Sequence, residues 1–112
     1  MKKIECIIRP SSFVFLKNQL AEMGIHGMTV LEAGGFGRQR GYTGTNTGND
    51  FEVDLIPKFF LIIVTSDGMV EDVIDKICKI CYTGEVGDGK IFVVPIEEAV
   101  RIRTRERGEK AI

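Results

Sequence analysis

Two kinds of hydrophobic periodicity alternate along this 112-residue chain, and their order limits the folds that it can adopt. The first segment repeats apolar residues at every second position, as a β-strand does, and Pro10 stops it. The next segment repeats apolar residues at helical spacing from Ser11 and Ser12, which offer an N-cap, as far as Gly24. Its apolar members are Phe13, Leu16, Leu20 and Met23. The chain therefore begins with a predicted strand and helix.

The rest of the chain supplies three more predicted strands and a second helix. One strand is expected at 28–33, ending at Gly34 and Gly35, and another at 59–64, which is apolar enough to be buried on both faces. The second helix has a core stripe formed by Val70, Val73, Ile74, Ile77, Cys78 and Cys81. With a last strand at 90–94, the order is βαββαβ. This order predicts a single α+β domain over residues 1–112, a ferredoxin-like sandwich with both helices on one face of an antiparallel sheet.

Composition and charge exclude several classes of protein. The chain is 44% hydrophobic and 28% charged with a net charge of −1, so nothing indicates a general nucleic-acid binder. The longest apolar run is too short to span a bilayer, and the first residues enter a strand pattern without the apolar core of a signal peptide. We therefore expect a cytoplasmic protein without membrane insertion, whose three cysteines are reduced.

Residues 37–55 interrupt the periodic pattern with glycine, threonine, asparagine and arginine. Compact domains rarely keep a loop of this length unless it is functional or disordered. One interpretation is a floppy hairpin tip. The favoured interpretation is an arm that contacts a partner or responds to a ligand, because the segment has almost no apolar residues with which to form a core.

A glycine-rich turn before the last strand has the composition of an anion site. Gly87 and Gly89 allow successive backbone N–H groups to converge on an anion, and Lys90 adds a positive charge. Further along, Arg101 and Arg103 project to one face if the segment is extended. The alternatives are an ordinary turn entering a strand and a solvated basic tail over residues 101–112.

These blocks, in register over nearly the whole chain, resemble the PII signal-transduction proteins of nitrogen metabolism. The matching stretches are IIRP at 7–10, GMTV at 27–30, GFGRQ at 35–39, PK at 57–58, TG at 83–84, GDGKIF at 87–92 and RIRT at 101–104. The resemblance implies a homotrimer of ferredoxin-like subunits with a nucleotide site in each cleft between neighbours. It also implies that ATP and ADP compete there, that 2-oxoglutarate binds with Mg-ATP, and that residues 37–55 form the T-loop, which docks on a target. Such a protein is a signal transducer and not an enzyme.

The resemblance also assigns ligand residues. For the nucleotide it implies Thr29, Gly37, Arg38, Gln39, Val64, Gly87, Asp88, Gly89, Lys90, Arg101, Ile102 and Arg103. For 2-oxoglutarate it implies Gln39, Arg40, Gly41, Lys58 and Gly87, with Arg9 reaching the distal carboxylate. Gln39 is the implied side-chain ligand of magnesium, since an amide oxygen suits a hard cation. The implied target is a transporter, an enzyme or a transcriptional regulator.

The arm departs from the family pattern at several positions. Phe51 stands where relatives carry a tyrosine that is nucleotidylated, and a phenyl ring has no hydroxyl to modify. Asn49 replaces a serine that some relatives phosphorylate, and Thr47 replaces an arginine that relatives insert into an ammonium channel. Near the adenine end, Ile62 replaces a glutamate. We therefore expect the sensing part of the family to be kept and the output surface to differ.

Other reactive residues receive a structural interpretation. Cys78 and Cys81 form a CxxC motif late in a predicted helix, where we expect core packing, because redox pairs favour helix N-termini and structural zinc needs four ligands. His26 is expected in a surface turn. Two other functions stay open: a PII-like structural or metal-binding trimer with an altered ligand, and a nucleotide-hydrolysing enzyme.

Overall fold

The computed structural model describes residues 1–37 and 55–112, which form four strands and two helices in the predicted order. They are β1 (Lys2–Ile8), α1 (Phe13–Glu22), β2 (Thr29–Gly35), β3 (Ile56–Thr65), α2 (Val70–Cys81) and β4 (Lys90–Pro95). Short 3-10 turns at Pro10–Ser12 and Asp67–Met69 lead into the two helices. In the described residues, neither helix is long and apolar enough to cross a membrane.

The four strands form one antiparallel sheet in the order β2-β3-β1-β4. β1 and β2 flank β3, while β3 and β4 flank β1, so the two strand–helix–strand units interlock. Cys6 lies at the centre of this arrangement, between Leu61 on one neighbouring strand and Ile91 on the other. The predicted ferredoxin-like α+β fold is confirmed.

The core lies between one face of the sheet and the two helices. Alternate residues of β1 and β3 point into it, as do the apolar stripes of both helices. The fully buried side chains are Ile4, Cys6, Ile8, Leu16, Leu20, Leu61, Ile63, Val73 and Ile77. Since burying a large aliphatic side chain contributes about 1.5–3 kcal/mol, this layer dominates the stability of the fold.

The other face of the sheet, here called the open face, is where the single chain does not show the burial on both sides that was predicted for β3. Within one chain only one side of β3 is covered, and its Phe60, Ile62 and Val64 are half-buried. The register aligns them with further apolar residues of the same face, namely Ile7, Leu31, Phe92 and Val94. A single chain therefore leaves a broad, mostly apolar sheet surface, crossed by the Lys3–Glu5 ion pair on β1, that neither described helix covers.

Of the local details at the helix and strand ends, one differs from the sequence prediction. Ser12 occupies the N-cap position of α1 but makes no side-chain capping bond, because the chain enters the helix through a 3-10 turn whose Ser12 N–H donates to Arg9 O at 3.0 Å. β2 ends at Gly34 and Gly35 as predicted, and these two residues pair with Pro57 and Ile56. His26 is exposed, as expected for a surface turn.

The predicted core stripe of α2 is wrong at Cys78. Val70, Val73, Ile77 and Cys81 are buried and Ile74 packs partly against them, but the Cys78 side chain is exposed. Helical geometry explains the difference, since residue 78 directly follows the buried Ile77 and turns about 100° away from it. Core packing therefore accounts for one cysteine of the CxxC motif and not for the other.

Residues 101–112 are folded and do not form the extended tail on which the sequence argument relied. Val100 bridges to Arg107, and the Arg101 N–H donates to Glu106 O at 2.9 Å. The guanidinium of Arg101 also lies 3.1 Å from the Glu106 carboxylate. A final 3-10 turn, Gly108–Ala111, follows this hairpin. Because residues 102–104 form its turn, alternation along an extended strand does not determine where Arg101 and Arg103 point.

Candidate functional site

The glycine-rich segment between α2 and β4 folds around the carboxylate of one of its own residues. This Asp88 loop (residues 83–89) closes when Asp88 Oδ2 accepts the backbone N–H groups of Thr83 at 2.8 Å and Gly84 at 3.0 Å. The Thr83 hydroxyl donates to Asp88 Oδ1 and accepts the Glu85 N–H at 3.1 Å. The loop thus has an internal anion as its organising centre.

Arg9, just after β1, ties the Asp88 loop to the sheet. Its guanidinium donates to Asp88 Oδ1 and, at 2.9 Å, to Val86 O. The hydrogen bonds from Thr83, followed by those from Arg9 and Gly84, hold the pKa of Asp88 well below its usual value. Asp88 therefore stays ionised at neutral pH, and its charge is used inside the loop.

Lys58 approaches the same loop from β3. Its side chain is only 8% exposed, and its Nζ donates to Gly87 O at 3.0 Å. The stem of Lys58 runs over Gly35, where an added Cβ would lie 3.1 Å from Lys58 Cγ. Burial lowers the pKa of Lys58, the nearby Arg9 charge lowers it further, and the Asp88 charge opposes both. A second cation is therefore held close to Arg9 at the base of the loop.

Glycine is required at the end of the Asp88 loop for two separate reasons. Gly89 has φ +116°, a conformation that residues with a side chain rarely adopt, and a Cβ there would overlap the Ile7 carbonyl oxygen. This close approach lets β4 begin directly at Lys90, opposite Ile7. The sequence pattern predicted the glycines, and the structure adds the backbone contact that demands one of them.

The loop and its surroundings have the chemistry of an anion site. Within the described residues, no hydrogen bond is found for the N–H groups of Val86 and Gly87, which occupy the turn of the loop. Lys90 is exposed and lies on the open face, beside the loop. Amide donors with a flanking lysine suit the oxygens of a phosphate group.

A second concave region, here called the Thr29 cleft, contains the residues expected to hold adenine. It has a volume of 570 Å³, and Thr29 and Val64 line it together with Ile62, Ser66 and Met69. Val64 pairs with Lys3, four positions along β1 from the Ile7 that pairs with Lys90. At about 3.3 Å per residue, the Thr29 cleft and the Asp88 loop of one chain lie about 13 Å apart along the strand direction.

The remaining predicted ligand residues divide into two groups. Arg101, Ile102 and Arg103 lie in the C-terminal hairpin, where Ile102 is 96% exposed and Arg103 is also exposed. Gly37 is an exposed residue at the end of the first described segment. Arg38, Gln39, Arg40 and Gly41, and most of the T-loop with Thr47, Asn49 and Phe51, lie outside the described residues. The structure therefore brings Lys58, Gly87, Asp88, Gly89 and Lys90 together, with Thr29 and Val64 elsewhere on the sheet.

Sequence reasoning missed Thr83 and the internal role of Arg9. Thr83 supplies a hydroxyl and an N–H to Asp88, and Arg9, expected as a ligand residue, forms an ion pair with the same carboxylate. The signal in the sequence was a hydroxyl residue five positions before an aspartate, in a segment with three glycines between or beside them. Such spacing is typical of a side chain that closes its own turn.

Replacing Asp88 with asparagine is expected to make the free energy of unfolding fall less between neutral and acid pH than it does in the wild type. Because the folded pKa of Asp88 lies below its ordinary value of 3.8, the ionised carboxylate stabilises the folded state above that pH, and this contribution is lost as the pH falls below it. Urea titrations at about pH 7 and about pH 3 measure the free energy of unfolding at both limits. The advantage of the wild type over D88N is expected at neutral pH and shrinks in acid.

The matched control for that experiment is Asp75→Asn, which removes an exposed carboxylate from α2. Its effect on the free energy of unfolding is expected to stay within about 0.5 kcal/mol at both pH values. A difference between wild type and D88N that is the same at both pH values would contradict the role of the ionised Asp88.

Comparison with known proteins gives matches over nearly the whole chain. The family model described as "Nitrogen regulatory protein P-II" matches residues 1–106. The nitrogen regulatory proteins P-II of Azospirillum brasilense and Rhodospirillum rubrum are each 51% identical to the chain over 112 residues, all of both proteins. The nitrogen regulatory protein P-II 2 of Methanothermobacter thermautotrophicus is 48% identical over 112 residues, which covers all of this chain and 97% of that protein. The similarity includes both the Asp88 loop and the Thr29 cleft.

Proposed function

The chain belongs to the nitrogen regulatory protein P-II family, and on that premise we propose that it senses adenine nucleotides and 2-oxoglutarate and controls a target protein through its T-loop. ATP and ADP compete for its nucleotide site, 2-oxoglutarate binds together with Mg-ATP, and the T-loop changes shape with the bound ligand. The target is a transporter, an enzyme or a transcriptional regulator in the cytoplasm. The Asp88 loop carries this proposal, because its turn at Val86 and Gly87 lies between Lys58, which donates to Gly87 O, and Lys90 at the start of β4.

Family membership by itself gives the coarser part of this function. Proteins of the family are regulators of nitrogen metabolism that act by signal transduction, and they are not enzymes. The prediction of a non-enzymatic regulator is therefore confirmed.

The phosphate end of the nucleotide is assigned to the Asp88 loop and Lys90. The Asp88 carboxylate accepts hydrogen bonds from Thr83 and Gly84 and forms an ion pair with Arg9. Its charge therefore orients the loop and does not repel the phosphates directly. The amides of Val86 and Gly87 and the ammonium of Lys90 are then the donors assigned to the ligand. Since the loop is held by at least four hydrogen bonds before any ligand binds, little ordering is needed on binding.

The adenine end supports a site that is shared between subunits. Along the strand direction, Val64 lies about 13 Å and Thr29 about 7 Å from the start of β4 beside the Asp88 loop of their own chain, and the intervening surface is the open face with the Lys3–Glu5 ion pair. A second copy packed on that face would bring one chain's Thr29 cleft toward another chain's loop. We propose the closed homotrimer of the family, which also covers Phe60, Ile62 and Phe92. Arg101, Ile102 and Arg103, in the exposed hairpin, complete the neighbour's phosphate site.

The assembly has a direct test in light scattering coupled to size-exclusion chromatography. Three copies of the 12.5 kDa chain are expected in one particle. A particle with the mass of a single chain would contradict the shared site, because the open face would then stay exposed to solvent.

The 2-oxoglutarate site is assigned to the base of the same loop. Lys58 and Arg9 are close enough for the charge of Arg9 to lower the pKa of Lys58, so a carboxylate placed beside them is attracted by both. Gln39, Arg40, Gly41 and Gly87 complete the site by backbone and side-chain contacts. Gln39 would hold a magnesium ion, which would supply a hard cation for the keto acid.

Replacing Lys58 with methionine is expected to weaken 2-oxoglutarate binding about 10- to 100-fold, because a charged hydrogen-bond partner of the carboxylate is lost. Methionine keeps an unbranched stem over Gly35, so the packing changes little. ATP affinity is expected to fall by no more than about fivefold, the value of the one hydrogen bond to Gly87 O. Calorimetric titration of each ligand measures both effects.

The control for that variant is Lys17→Met, which makes the same change on the exposed surface of α1. It is expected to leave both affinities unchanged. Equal losses of ATP and 2-oxoglutarate binding in K58M would contradict the assignment of Lys58 to the dicarboxylate.

Control of a target is tested by co-purification with the full-length chain. Cell extract is passed over the immobilised protein in ADP, in ATP, and in ATP with 2-oxoglutarate. The target is expected in only one of these conditions, since a partner that prefers one T-loop shape also alters ligand affinity. Retention of the same proteins in all three conditions would contradict ligand control.

A further inference from the structure

The two cysteines of the CxxC motif occupy the last turn of α2 in different surroundings. Cys78 is exposed, whereas Cys81 is 6% exposed and belongs to the core cluster with Cys6. Burial raises the pKa of the Cys81 thiol, and the nearby Ser12 side chain opposes this rise. One thiol is therefore open to solvent reagents, and its neighbour is held inside.

Their spacing is close to that of a disulfide, but it does not match one. Helical geometry places the Cα atoms of residues i and i+3 about 5 Å apart, which lies within the range that disulfides span. The Cβ atoms of such a pair are about 5–6 Å apart, whereas a disulfide needs about 4 Å. A bond between Cys78 and Cys81 therefore requires the last turn of α2 to tighten and the Cys81 sulfur to leave the core.

The last turn of α2 is directly connected to the Asp88 loop. The Tyr82 N–H donates to Cys78 O at 3.0 Å, and α2 ends at Cys81. Thr83, two residues beyond Cys81, holds Asp88 by its N–H and its hydroxyl. A change in the last turn is therefore transmitted over two residues to the hydrogen bonds that close the loop.

We propose that Cys78 and Cys81 form a reversible thiol–disulfide switch. A hydroperoxide oxidises the two thiols to a disulfide, a thiol reduces the disulfide again, and formation of the disulfide loosens the Asp88 loop. Only an effect of this switch on nucleotide binding rests on the proposed function. The disulfide and the loosening of the loop are properties of the chain alone.

The chemistry is a two-electron oxidation by the hydroperoxide. The Cys78 sulfur attacks the terminal oxygen of the peroxide, the O–O bond breaks, and Cys78 becomes a sulfenic acid while an alcohol or water leaves. The Cys81 thiol then attacks the Cys78 sulfur, the S–O bond breaks, and water leaves with the thiol proton. A dithiol reverses the step by thiol–disulfide exchange.

The surroundings of the three cysteines determine the order of these steps. Burial raises the pKa of Cys6 to about 12 and raises that of Cys81, so both stay protonated at neutral pH and react slowly with peroxide. Cys78 is the thiol that solvent reaches. Oxidation therefore begins at Cys78, and Cys81 is the resolving thiol.

Peptide mapping of the full-length protein tests the bond itself. Trypsin cleaves after Lys76, Lys79 and Lys90, so Cys78 and Cys81 fall on separate peptides, residues 77–79 and 80–90. After treatment with hydrogen peroxide and digestion without reductant, these two peptides are expected to be joined, and dithiothreitol is expected to separate them. A link from Cys6 to Cys81, a Cys78–Cys78 link between chains, or Cys78 oxidised only to sulfinic or sulfonic acid would each overturn the proposal.

Hydrogen exchange tests the effect on the loop without any nucleotide. Oxidation is expected to speed amide exchange within residues 83–89 about fivefold, the equivalent of one lost hydrogen bond, and reduction is expected to reverse it. Cys78→Ser, at an exposed position, keeps the fold and is expected to show no response to peroxide. An oxidised wild type with unchanged exchange in the loop, or an equal response in C78S, would overturn the switch.

Discussion

Replacing Gly89 with alanine is expected to destabilise the folded chain by roughly 3–5 kcal/mol, a large share of the stability of a domain of this size. Alanine is strained at φ +116°, and its Cβ would overlap the Ile7 carbonyl oxygen, so β4 cannot keep both its pairing with β1 and its connection to the Asp88 loop. Urea unfolding followed by circular dichroism measures the change. The same variant is expected to lose ATP binding even where it remains folded.

Two other glycines separate the causes of that effect. Gly24 has φ +94° but nothing within 4 Å of an added Cβ, so Gly24→Ala measures backbone strain alone and is expected to cost about 1–2 kcal/mol. Gly68 has neither a positive φ nor a close neighbour, and Gly68→Ala is expected to change stability by less than about 1 kcal/mol. A G89A variant no less stable than G24A would show that the Ile7 contact does not constrain the loop.

Replacing Lys90 with alanine is expected to weaken ATP binding about 10- to 100-fold, because it removes a charged partner of the phosphates. Lys90 is exposed and makes no ion pair within the described residues, so the free energy of unfolding is expected to change by less than about 0.5 kcal/mol. Calorimetric titration with ATP and a urea titration together measure the two quantities. The variant thereby separates ligand contact from folding, which Gly89→Ala does not.

Lys17→Ala is the matched control, since it removes an exposed lysine from α1, away from the Asp88 loop. Its ATP affinity is expected to equal that of the wild type. Equal weakening by K17A and K90A would mean that net charge alone governs ATP binding, and an unchanged affinity in K90A would remove Lys90 from the site.

Much of the fold was predictable because its signals are local. Period-two alternation in β1 and the helical stripes of α1 and α2 each depend on a few neighbouring residues, and the order of the elements leaves few topologies. The prediction was wrong where one element's burial depends on another. Cys78 lies on the side of α2 that faces solvent, and burial of the second face of β3, which the chain's own helices leave open, depends on the proposed neighbouring subunits.

The candidate site was predictable in composition but not in geometry. The glycines and Lys90 could be read as an anion site, and the resemblance added Lys58, Thr29 and Val64. The use of Asp88 as the internal centre of its loop could be predicted only in part: Thr83 lies close to it in sequence, but its ion-pair partner Arg9 comes from the other end of the chain, after β1. The hairpin formed by Arg101 and Glu106 likewise depends on a local pairing that charge alone did not specify.

The most direct test of the central claim is calorimetric titration of the purified, folded protein with ATP and then with ADP. We expect saturable binding of ATP with one site per chain, and displacement of bound ATP by ADP, because the proposed site takes the phosphates of either nucleotide at the Asp88 loop and its adenine at the Thr29 cleft. Binding of neither nucleotide by protein that is folded and trimeric would contradict the account.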